Sequence, residues 1–454
     1  MKFATKTPNK RITVVGAGPV GIRVAQILIR NGLEVIHIDS GQLAKTENEQ
    51  TRFDTNMSTS NKYFHHSISP TPPINPWGGC LMGYRWQEKD KKQYKEITDK
   101  LDERVIEEVA EYFSVPQFNF YSDDIKGNYT EHFHGLRASF GVFTPDPLLK
   151  KQRSELESSK NYTFVAGQEV LGIQIIDNTK RIILQDQKTK QIEVVESKKI
   201  FLCCGTIENS RILFKTAEWN EFSAGNLGEN LSDHLALDIG VIRGRNFESL
   251  RRKFGSRTKS GHKVLPRFRL DNPEFEGNQL ESFLQVSSLD IGLATSIKNL
   301  VNRNKLTKGL ARRIVPGDGL ATILFETKPS QNRRLKRIRK HNSEQLYISF
   351  HIDKSEFDTM IVQAKNYLEN LRSVPNLSVN DFLDNLRISD LRSSIHWSGT
   401  TTLGSTSILN SDLSTIWDES VYALGANVLP RALATHPTFI SVAIAQVACE
   451  ISLN

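Results

Sequence analysis

RITVVGAGPVGIRVAQILIRNG, residues 11–32, contains the pattern from which the fold is predicted. The β-branched run at its start is typical of a strand. The apolar spacing after the glycines is typical of a helix, which Asn31 and Gly32 end. A second apolar strand, residues 34–38, leads to Asp39. The predicted order is therefore strand, glycine turn, helix and strand.

Three glycines in this stretch have the spacing of a dinucleotide-binding turn. Gly16 allows a tight turn, Gly18 lets the backbone approach a pyrophosphate, and Gly21 allows close packing of helix on strand. The amide donors of the helix N-terminus then face the phosphates, and Asp39 can accept hydrogen bonds from a ribose hydroxyl. A purely structural turn is the alternative. The predicted contact residues here are Gly16, Gly18, Pro19, Val20, Gly21, Asp39 and Ser40.

Length and composition are those of an ordinary globular protein. A chain of 454 residues is too long for one compact core, so we expect two domains, which can be interleaved along the sequence. The N-terminal text lacks a secretory pattern, and no apolar run is long enough to cross a membrane, so we expect a cytoplasmic protein. The cysteines are expected to be reduced and packed; they are Cys80, Cys203, Cys204 and Cys449.

Much of the net charge of +8 lies in the basic segment, residues 298–340. One interpretation is a surface for anionic lipid, an acidic polysaccharide or a nucleotide-linked sugar. The other is a solvated face with no partner. The segment has no recognition helix, aromatic RNA-binding pattern or zinc spacing, so we expect neither nucleic acid nor a metal.

The later sequence favours FAD over NAD. An apolar strand followed by glycine returns at residues 201–205 and again near the end of the chain, whereas NAD enzymes usually have one continuous nucleotide fold. We predict helical structure for residues 88–113 and from about residue 208 to 216. Successive short strands with antiparallel pairing are predicted at residues 161–170, 172–176, 181–185 and 192–196.

Five blocks of sequence resemble the glucose-methanol-choline (GMC) oxidoreductases, in order and in spacing. They are FLCCGTIENSRILFKT (201–216), NLGENLSDHL (226–235), IHWSGTTTLGS (395–405), VYALGANVLPRA (421–432) and THPTFISVAIAQVA (435–448). No match is seen from about residue 239 to 390. The resemblance implies an α/β fold, with a Rossmann-like FAD-binding domain assembled from discontinuous segments and an α+β substrate domain with a mainly antiparallel sheet. The predicted FAD-binding domain comprises residues 1–85, 150–238 and 391–454, and the substrate-binding domain comprises 86–149 and 239–390.

The same resemblance implies the reaction and the residues that perform it. The expected activity is oxidation of a CH–OH group of a sugar or another alcohol by hydride transfer to flavin N5. His396 takes the place of the family's active-site histidine and His436 that of its partner. We expect His396 to be the base and His436 to orient the hydroxyl, although the two roles could be exchanged.

Further cofactor contacts follow from the resemblance. Val170 should meet the adenine side, Trp77, Gly78 and Gly79 should pass near the pyrophosphate and flavin, and the helix that starts at Pro437 and Thr438 should face the pyrimidine edge. The remaining predicted contacts are Gly205, Asn209, Gly425 and Ala426. Gly425 and Ala426 stand where the family often has Asp before a small residue. Because the histidine used for covalent attachment is absent, we predict noncovalent FAD.

Two other functions stay open on the sequence. The chain could be the flavoprotein half of a two-component sugar epimerase, or a noncatalytic flavin-binding protein that docks on a membrane or partner through the basic segment. The expected substrate is a small alcohol or sugar. Because the chain is basic, this substrate can also be anionic. The sequence leaves open the identity of the substrate, the electron acceptor and the oligomeric state.

Overall fold

The structure is a computed structural model. It describes residues 11–40, 52–57, 79–83, 86–115, 131–145, 148–176, 179–245, 247–259, 261–270, 280–287, 318–330, 332–340, 343–432 and 434–454. The helices of this part of the chain are α1 (Pro19–Arg30), α2 (Glu88–Gln93), α3 (Lys95–Thr98), α4 (Glu103–Tyr112), α5 (Leu148–Glu157), α6 (Thr206–Trp219), α7 (Phe247–Phe254), α8 (Lys354–Arg372) and α9 (Thr438–Leu453). The described residues also contain short 3-10 turns at Leu383–Asn385, Ile388–Asp390 and Ala426–Val428.

The strands are β1 (Arg11–Val15), β2 (Glu34–Asp39), β3 (Arg52–Thr55), β4 (Cys80–Leu81), β5 (Glu131–Phe133), β6 (Leu136–Phe143), β7 (Tyr162–Ala166), β8 (Gln168–Ile176), β9 (Thr179–Asp186), β10 (Ile192–Ser197), β11 (Lys199–Leu202), β12 (Glu229–Ser232), β13 (Leu235–Gly244), β14 (Arg257–Lys259), β15 (His262–Leu270), β16 (Ser282–Ser287), β17 (Gly319–Phe325), β18 (Arg334–Lys340), β19 (Ser343–Phe350), β20 (Leu377–Asp381), β21 (Arg392–Ser393), β22 (Ser398–Thr400), β23 (Ser414–Thr415) and β24 (Asp418–Ala423).

A six-stranded sheet gathers three distant parts of the chain, in the order β23-β24-β11-β1-β2-β7. All its pairings are parallel except that of β23 with β24. Strands β1, β2 and β11 are almost continuously apolar and buried, as is typical of a parallel sheet covered on both faces. The glycine turn between β1 and α1 therefore lies at the carboxyl end of a central strand, where α/β sheets usually bind ligands.

A larger, antiparallel sheet contains most of the middle of the chain. Its main path is β20-β13-β17-β16-β15-β6-β4, and β5, β14 and β21 pair at its sides. Helix α8 packs against it, and the Tyr367 hydroxyl donates to the Ser282 carbonyl at 2.8 Å. The prediction of a mixed α/β fold with a mainly antiparallel second sheet is confirmed. The domain boundaries stay a prediction.

The predicted helical structure of residues 88–113 is confirmed and consists of three helices, α2 to α4. One local prediction needs correction. Strand β7 leaves the predicted antiparallel series and pairs in parallel with β2, while β8, β9 and β10 form the antiparallel three-stranded sheet. The described end of the basic segment contains strand β18. Strand pairing over such distances depends on burial against the rest of the fold, which local alternation does not specify.

Helix α9 connects the end of the chain to its beginning. Phe439 to Cys449 are all buried, and the Arg23 guanidinium on α1 donates to the Gln446 side chain at 2.7 and 3.0 Å. Helices α1 and α9 therefore hold the glycine turn and the residues before Thr438 in a fixed arrangement. Among the described helices, none combines the length and apolar character needed to span a bilayer.

Candidate active site

The three glycines of the turn have three different surroundings. Gly16 has φ +98°, and a Cβ there would come within 2.7 Å of the Cys203 carbonyl oxygen. A Cβ at Gly21 would lie 1.8 Å from the Gly16 carbonyl oxygen. At Gly18 a Cβ would meet no atom of the described residues within 4 Å. These surroundings match a tight turn, a close helix contact and an open approach to the backbone.

The groups around the turn suit an anionic ligand. Helix α1 begins at Pro19, and its capping residue, Gly18, has no side chain that could occupy the first amides. The Asp39 carboxylate accepts a hydrogen bond from the Ala17 amide at 2.7 Å, which places it against the turn. Ser40 follows and is half-buried. The site thus has the features expected for the pyrophosphate of a dinucleotide.

Other predicted cofactor contacts lie around strand β11 and helix α6. Gly205 has φ +83° and open space at its Cβ position. Asn209 is buried, and its side chain donates to the carbonyls of Leu202 and Leu424 at 3.2 and 3.0 Å. The Val170 carbonyl accepts from the Arg211 guanidinium at 2.8 Å. These groups cluster at the same end of the parallel sheet, and their part in binding a cofactor stays a prediction.

The remaining predicted contacts are spread over three segments. Gly425 has φ +130° and precedes the buried turn that begins at Ala426. Pro437 caps α9, and Thr438 is its first residue; no side chain caps this helix either. Gly79 has φ +69°. Trp77 and Gly78 lie outside the described residues.

Two predicted catalytic histidines lie next to each other. The His436 Nδ1 and His396 Nε2 atoms are 3.3 Å apart, and the ring centroids are 4.8 Å apart with planes at 76°. His396 follows β21 at the edge of the large sheet, whereas His436 precedes α9. Their side chains are half-buried. The structure brings these imidazoles, 40 positions apart in sequence, to one point.

A buried arginine that the sequence did not single out contacts this pair. Arg267 on β15 is 3% exposed, and its Nη2 lies 2.7 Å from the His436 Nε2. Because a guanidinium has only donors, the His436 Nε2 must accept. The proton of neutral His436 is then on Nδ1, which donates to the His396 Nε2. The arginine thereby assigns the tautomer of the whole pair.

A third imidazole continues the series. The His396 Nδ1 lies 3.0 Å from the Nε2 of His234, which is 1% exposed. Since the His396 Nε2 accepts from His436, its Nδ1 carries the proton and donates to His234. The block NLSDHL marked His234 as part of the family resemblance without a role. Its presence in one of the five blocks that resemble the family was the signal that could have found it.

Asp233 fixes the backbone on which His396 stands. Its fully buried carboxylate accepts from the backbone amides of Ile395 and His396 at 3.1 and 3.0 Å, and from the Ser393 hydroxyl. Ile395 has φ +62°, an uncommon conformation for a β-branched residue. The carboxylate therefore holds a strained turn that aims the His396 ring. Burial raises the pKa of Asp233 to about 7.

The surroundings keep both predicted catalytic histidines neutral. Burial, with the nearby Arg267 charge, lowers the pKa of His396 to about 4. The same two causes lower the pKa of His436 well below its usual value, and the other two imidazoles lower it further. Neutral imidazole is the form that can accept a proton.

The three imidazoles also form a cluster of possible metal ligands. One nitrogen from each of His234, His396 and His436 lies within 4.8 Å of the others. A metal ion would have to replace the hydrogen bonds between the rings and would lie close to the Arg267 charge. The repulsion between two buried cations opposes that arrangement.

Cys80 directly follows Gly79, one of the predicted flavin contacts, and it is buried on β4. Burial raises the pKa of the Cys80 thiol. It is therefore protonated near neutral pH and is a poor nucleophile. All four cysteines are free thiols.

The basic segment is described only at its C-terminal end. Arg333 is buried and forms an ion pair with Glu356, and Arg337 forms one with Glu218. Both arginines thus pair with carboxylates of the protein itself. The remainder of the segment, residues 298–317, lies outside the described residues, and the predicted membrane contact stays a prediction.

No protein-family model and no curated protein matches the sequence. Among solved structures, the chain is similar to pyridoxine 4-oxidase from Mesorbium loti, with TM-score 0.65 and 12% identity, over 98% of this chain and 99% of the other. It is also similar to a fungal aryl-alcohol oxidase, with TM-score 0.56 and 10% identity, over 99% of each chain. Both are GMC-family oxidoreductases. The resemblance predicted from the sequence blocks is thus confirmed in the fold, which this chain shares with GMC oxidoreductases.

Proposed function

We propose that the chain is an FAD-dependent oxidoreductase of the GMC type, which oxidises a CH–OH group of a sugar or another alcohol. The observation that carries this proposal is the 3.3 Å separation of the His396 Nε2 and His436 Nδ1 atoms. Two neutral imidazoles at that distance can both reach one hydroxyl oxygen. The similar structures, an aryl-alcohol oxidase and a pyridoxine 4-oxidase, support the same class of reaction.

The glycine turn and the two uncapped helices fit FAD. Gly18 and the first amides of α1 would hold the pyrophosphate, with Asp39 beside a ribose. The N-terminus of α9, at Thr438, would offer its positive end to the flavin ring. Bound FAD would supply the acceptor for the hydride and its electron pair.

The contacts of the two histidines support different roles for them. His396 Nε2 would take the hydroxyl proton, while the His436 Nδ1–H donates to the hydroxyl oxygen and stabilises negative charge there. The roles cannot easily be exchanged, because protonation of His436 at Nε2 would direct an N–H bond at the Arg267 guanidinium. This favours His396 as the base.

Noncovalent binding of FAD is part of the proposal. The nearby thiol, Cys80, is buried and its raised pKa keeps it protonated, so it is poorly suited to attack a flavin.

The test is an absorbance spectrum of the purified protein, followed by anaerobic titration with a panel of alcohols and sugars. We expect a flavin spectrum that at least one alcohol bleaches. His396→Ala should retain the flavin and lose bleaching by a factor of about 10² or more. The matched control is His262→Ala, on the same strand as Arg267, which should behave as the wild type.

The alternatives predict other results. A flavoprotein half of an epimerase would bleach and stall after one turnover unless an acceptor or its partner is supplied, so the purified protein would show no net oxidation on its own. A noncatalytic flavin binder would show the flavin spectrum and no bleaching by any member of the panel. Absence of flavin in the purified protein, with no uptake of added FAD, would contradict the proposal itself.

A further inference from the structure

The hydrogen bonds that link Arg267, His436, His396 and His234 all run in one direction, from the guanidinium toward His234. This direction defines a role for His234. Each contact contains one donor and one acceptor. The guanidinium donates to His436, His436 Nδ1–H donates to His396, and His396 Nδ1–H donates to His234. Only the guanidinium end has a fixed assignment, and it determines the rest. His234 therefore presents an acceptor lone pair on Nε2 to His396.

We propose that His234 is the positioning residue that holds His396 in its Nδ1–H tautomer and receives the proton that His396 releases. This inference rests on the proposed function for its second half, the proton transfer. Its first half, the tautomer, is independent of any cofactor.

The weakest contact in the series lies where the substrate would enter. The His436–His396 hydrogen bond, at 3.3 Å, is longer than the most common hydrogen-bond lengths, whereas the His396–His234 hydrogen bond, at 3.0 Å, lies among them. A hydroxyl oxygen can replace the long contact by accepting from His436 Nδ1–H and donating to His396 Nε2. The contact with His234 then stays intact and keeps the His396 Nε2 lone pair available.

The proton balance follows the series. As hydride leaves the alcohol carbon with its electron pair for the cofactor, the hydroxyl O–H bond breaks and an Nε2–H bond forms on His396. The His396 Nδ1–H bond can then break while an Nε2–H bond forms on His234. The product is a carbonyl compound, and the positive charge has moved one ring farther along from Arg267. Repulsion from Arg267 favours this direction.

The groups that face these rings are few among the described residues. Arg267 contacts His436, the three imidazoles contact one another, and the Asp233 carboxylate precedes His234 and binds the backbone of His396. The Asp233 carboxylate accepts from backbone amides and the Ser393 hydroxyl. The neighbouring rings thus determine which nitrogen of His396 carries the proton, while burial and the Arg267 charge lower its pKa.

The first test is the tautomeric state of the wild-type protein with histidines labelled with nitrogen-15. Long-range nitrogen–proton spectra should show Nδ1 protonated and Nε2 unprotonated for His234, His396 and His436 at neutral pH, with or without FAD. Free histidine in water favours the opposite tautomer, so the result is diagnostic. Protonated Nε2 on His396 would overturn the proposal, whatever the activity of the enzyme.

The second test separates holding the ring from accepting the proton. His234→Gln offers an acceptor oxygen that cannot take up the proton, and His234→Ala offers none. We expect anaerobic flavin reduction to slow about 10-fold in H234Q, with the His396 tautomer retained, and about 100-fold in H234A, with partial rescue by free imidazole. The control, H262A, should match the wild type and gain nothing from imidazole.

These outcomes distinguish the two proposals. If the wild type binds flavin and an alcohol reduces it, but H234Q and H234A reduce it at the wild-type rate, the role of His234 is refuted and the function stands. If no alcohol reduces the flavin, the proposed function fails, and the nitrogen-15 spectra still decide the tautomer. Should H234A fail to fold, H234Q and the wild-type spectra give the answer.

Discussion

Gly18→Ala should separate folding from cofactor binding, because the added methyl group meets no atom of the residues that the structure describes within 4 Å. Gly18 has φ −76°, which alanine adopts without strain. Alanine is a poorer helix cap than glycine by several tenths of a kcal/mol, while its smaller unfolded-state entropy stabilises the fold by about 0.4–1 kcal/mol. The two effects oppose each other, so the stability of the apoprotein should change by less than about 1 kcal/mol.

The effect on FAD should be much larger. If the pyrophosphate uses the space at Gly18, the methyl group displaces it from the amides of α1. Each hydrogen bond to a charged group contributes about 1.5–3 kcal/mol, so loss of two weakens binding by about 10²-fold or more. The assay is FAD titration of the apoprotein by fluorescence quenching, together with thermal unfolding of the same samples.

Two variants complete the comparison. Gly21→Ala places its methyl group 1.8 Å from the Gly16 carbonyl and should destabilise the apoprotein itself. Gly32→Asn, at the other end of α1, should leave both properties unchanged, because asparagine tolerates the φ of +76° there. Wild-type FAD affinity in G18A would refute the placement of the pyrophosphate at Gly18. An unfolded G18A would refute the inference that the fold has room for a methyl group there.

Three further predictions follow from the site. Arg267→Met removes the charge that lowers the imidazole pKa values, so the acid limb of flavin reduction should shift to higher pH by about one unit or more; an unchanged pH profile would contradict this. Asp233 has a pKa of about 7 in the folded protein against 3.8 normally, so its contribution to stability is present below pH 3.8 and is lost as pH rises to 7. This difference corresponds to about 4 kcal/mol. In chemical denaturation, the free energy of unfolding of the wild type should therefore fall relative to that of Asp233→Asn as pH rises from 3.8 to 7. Acid precipitation should release all the flavin into the supernatant, and a yellow pellet would show covalent attachment.

The local elements near the N-terminus were predictable because short-range patterns determine them. The predicted strand at residues 11–15 has the observed bounds, and α1 ends at Arg30 before the predicted stop. Strand β7 was assigned to an antiparallel series and lies instead beside β2 in the parallel sheet. Alternation of apolar residues indicates a strand but does not specify its neighbour. That choice is made by packing between residues more than a hundred positions apart.

The proximity of the two predicted catalytic histidines was predictable from family resemblance and from nothing local. His396 and His436 were singled out by the blocks around them, and the distance between them is a product of the whole fold. Arg267 lies in the middle region without recognisable blocks, and it meets His436 across 169 positions. Because an arginine in a strand is usually exposed, the residues around Arg267 did not indicate that its side chain is buried against a histidine.

The strength of the base determines how the proposed oxidation must proceed. With a pKa of about 4, His396 is too weak to remove a proton from an alcohol before the carbon reacts. The hydroxyl becomes strongly acidic only as hydride leaves and the C–O bond gains double-bond character. Proton loss should therefore accompany hydride loss in one step, with His436 and Arg267 stabilising the oxygen meanwhile. We expect substrate deuterium on carbon to slow anaerobic flavin reduction, and heavy water to slow the same step. The contrary result is an effect of substrate deuterium without any effect of heavy water, together with a rate that rises with pH. It would indicate that the alkoxide forms before hydride transfer and would refute concerted loss of proton and hydride.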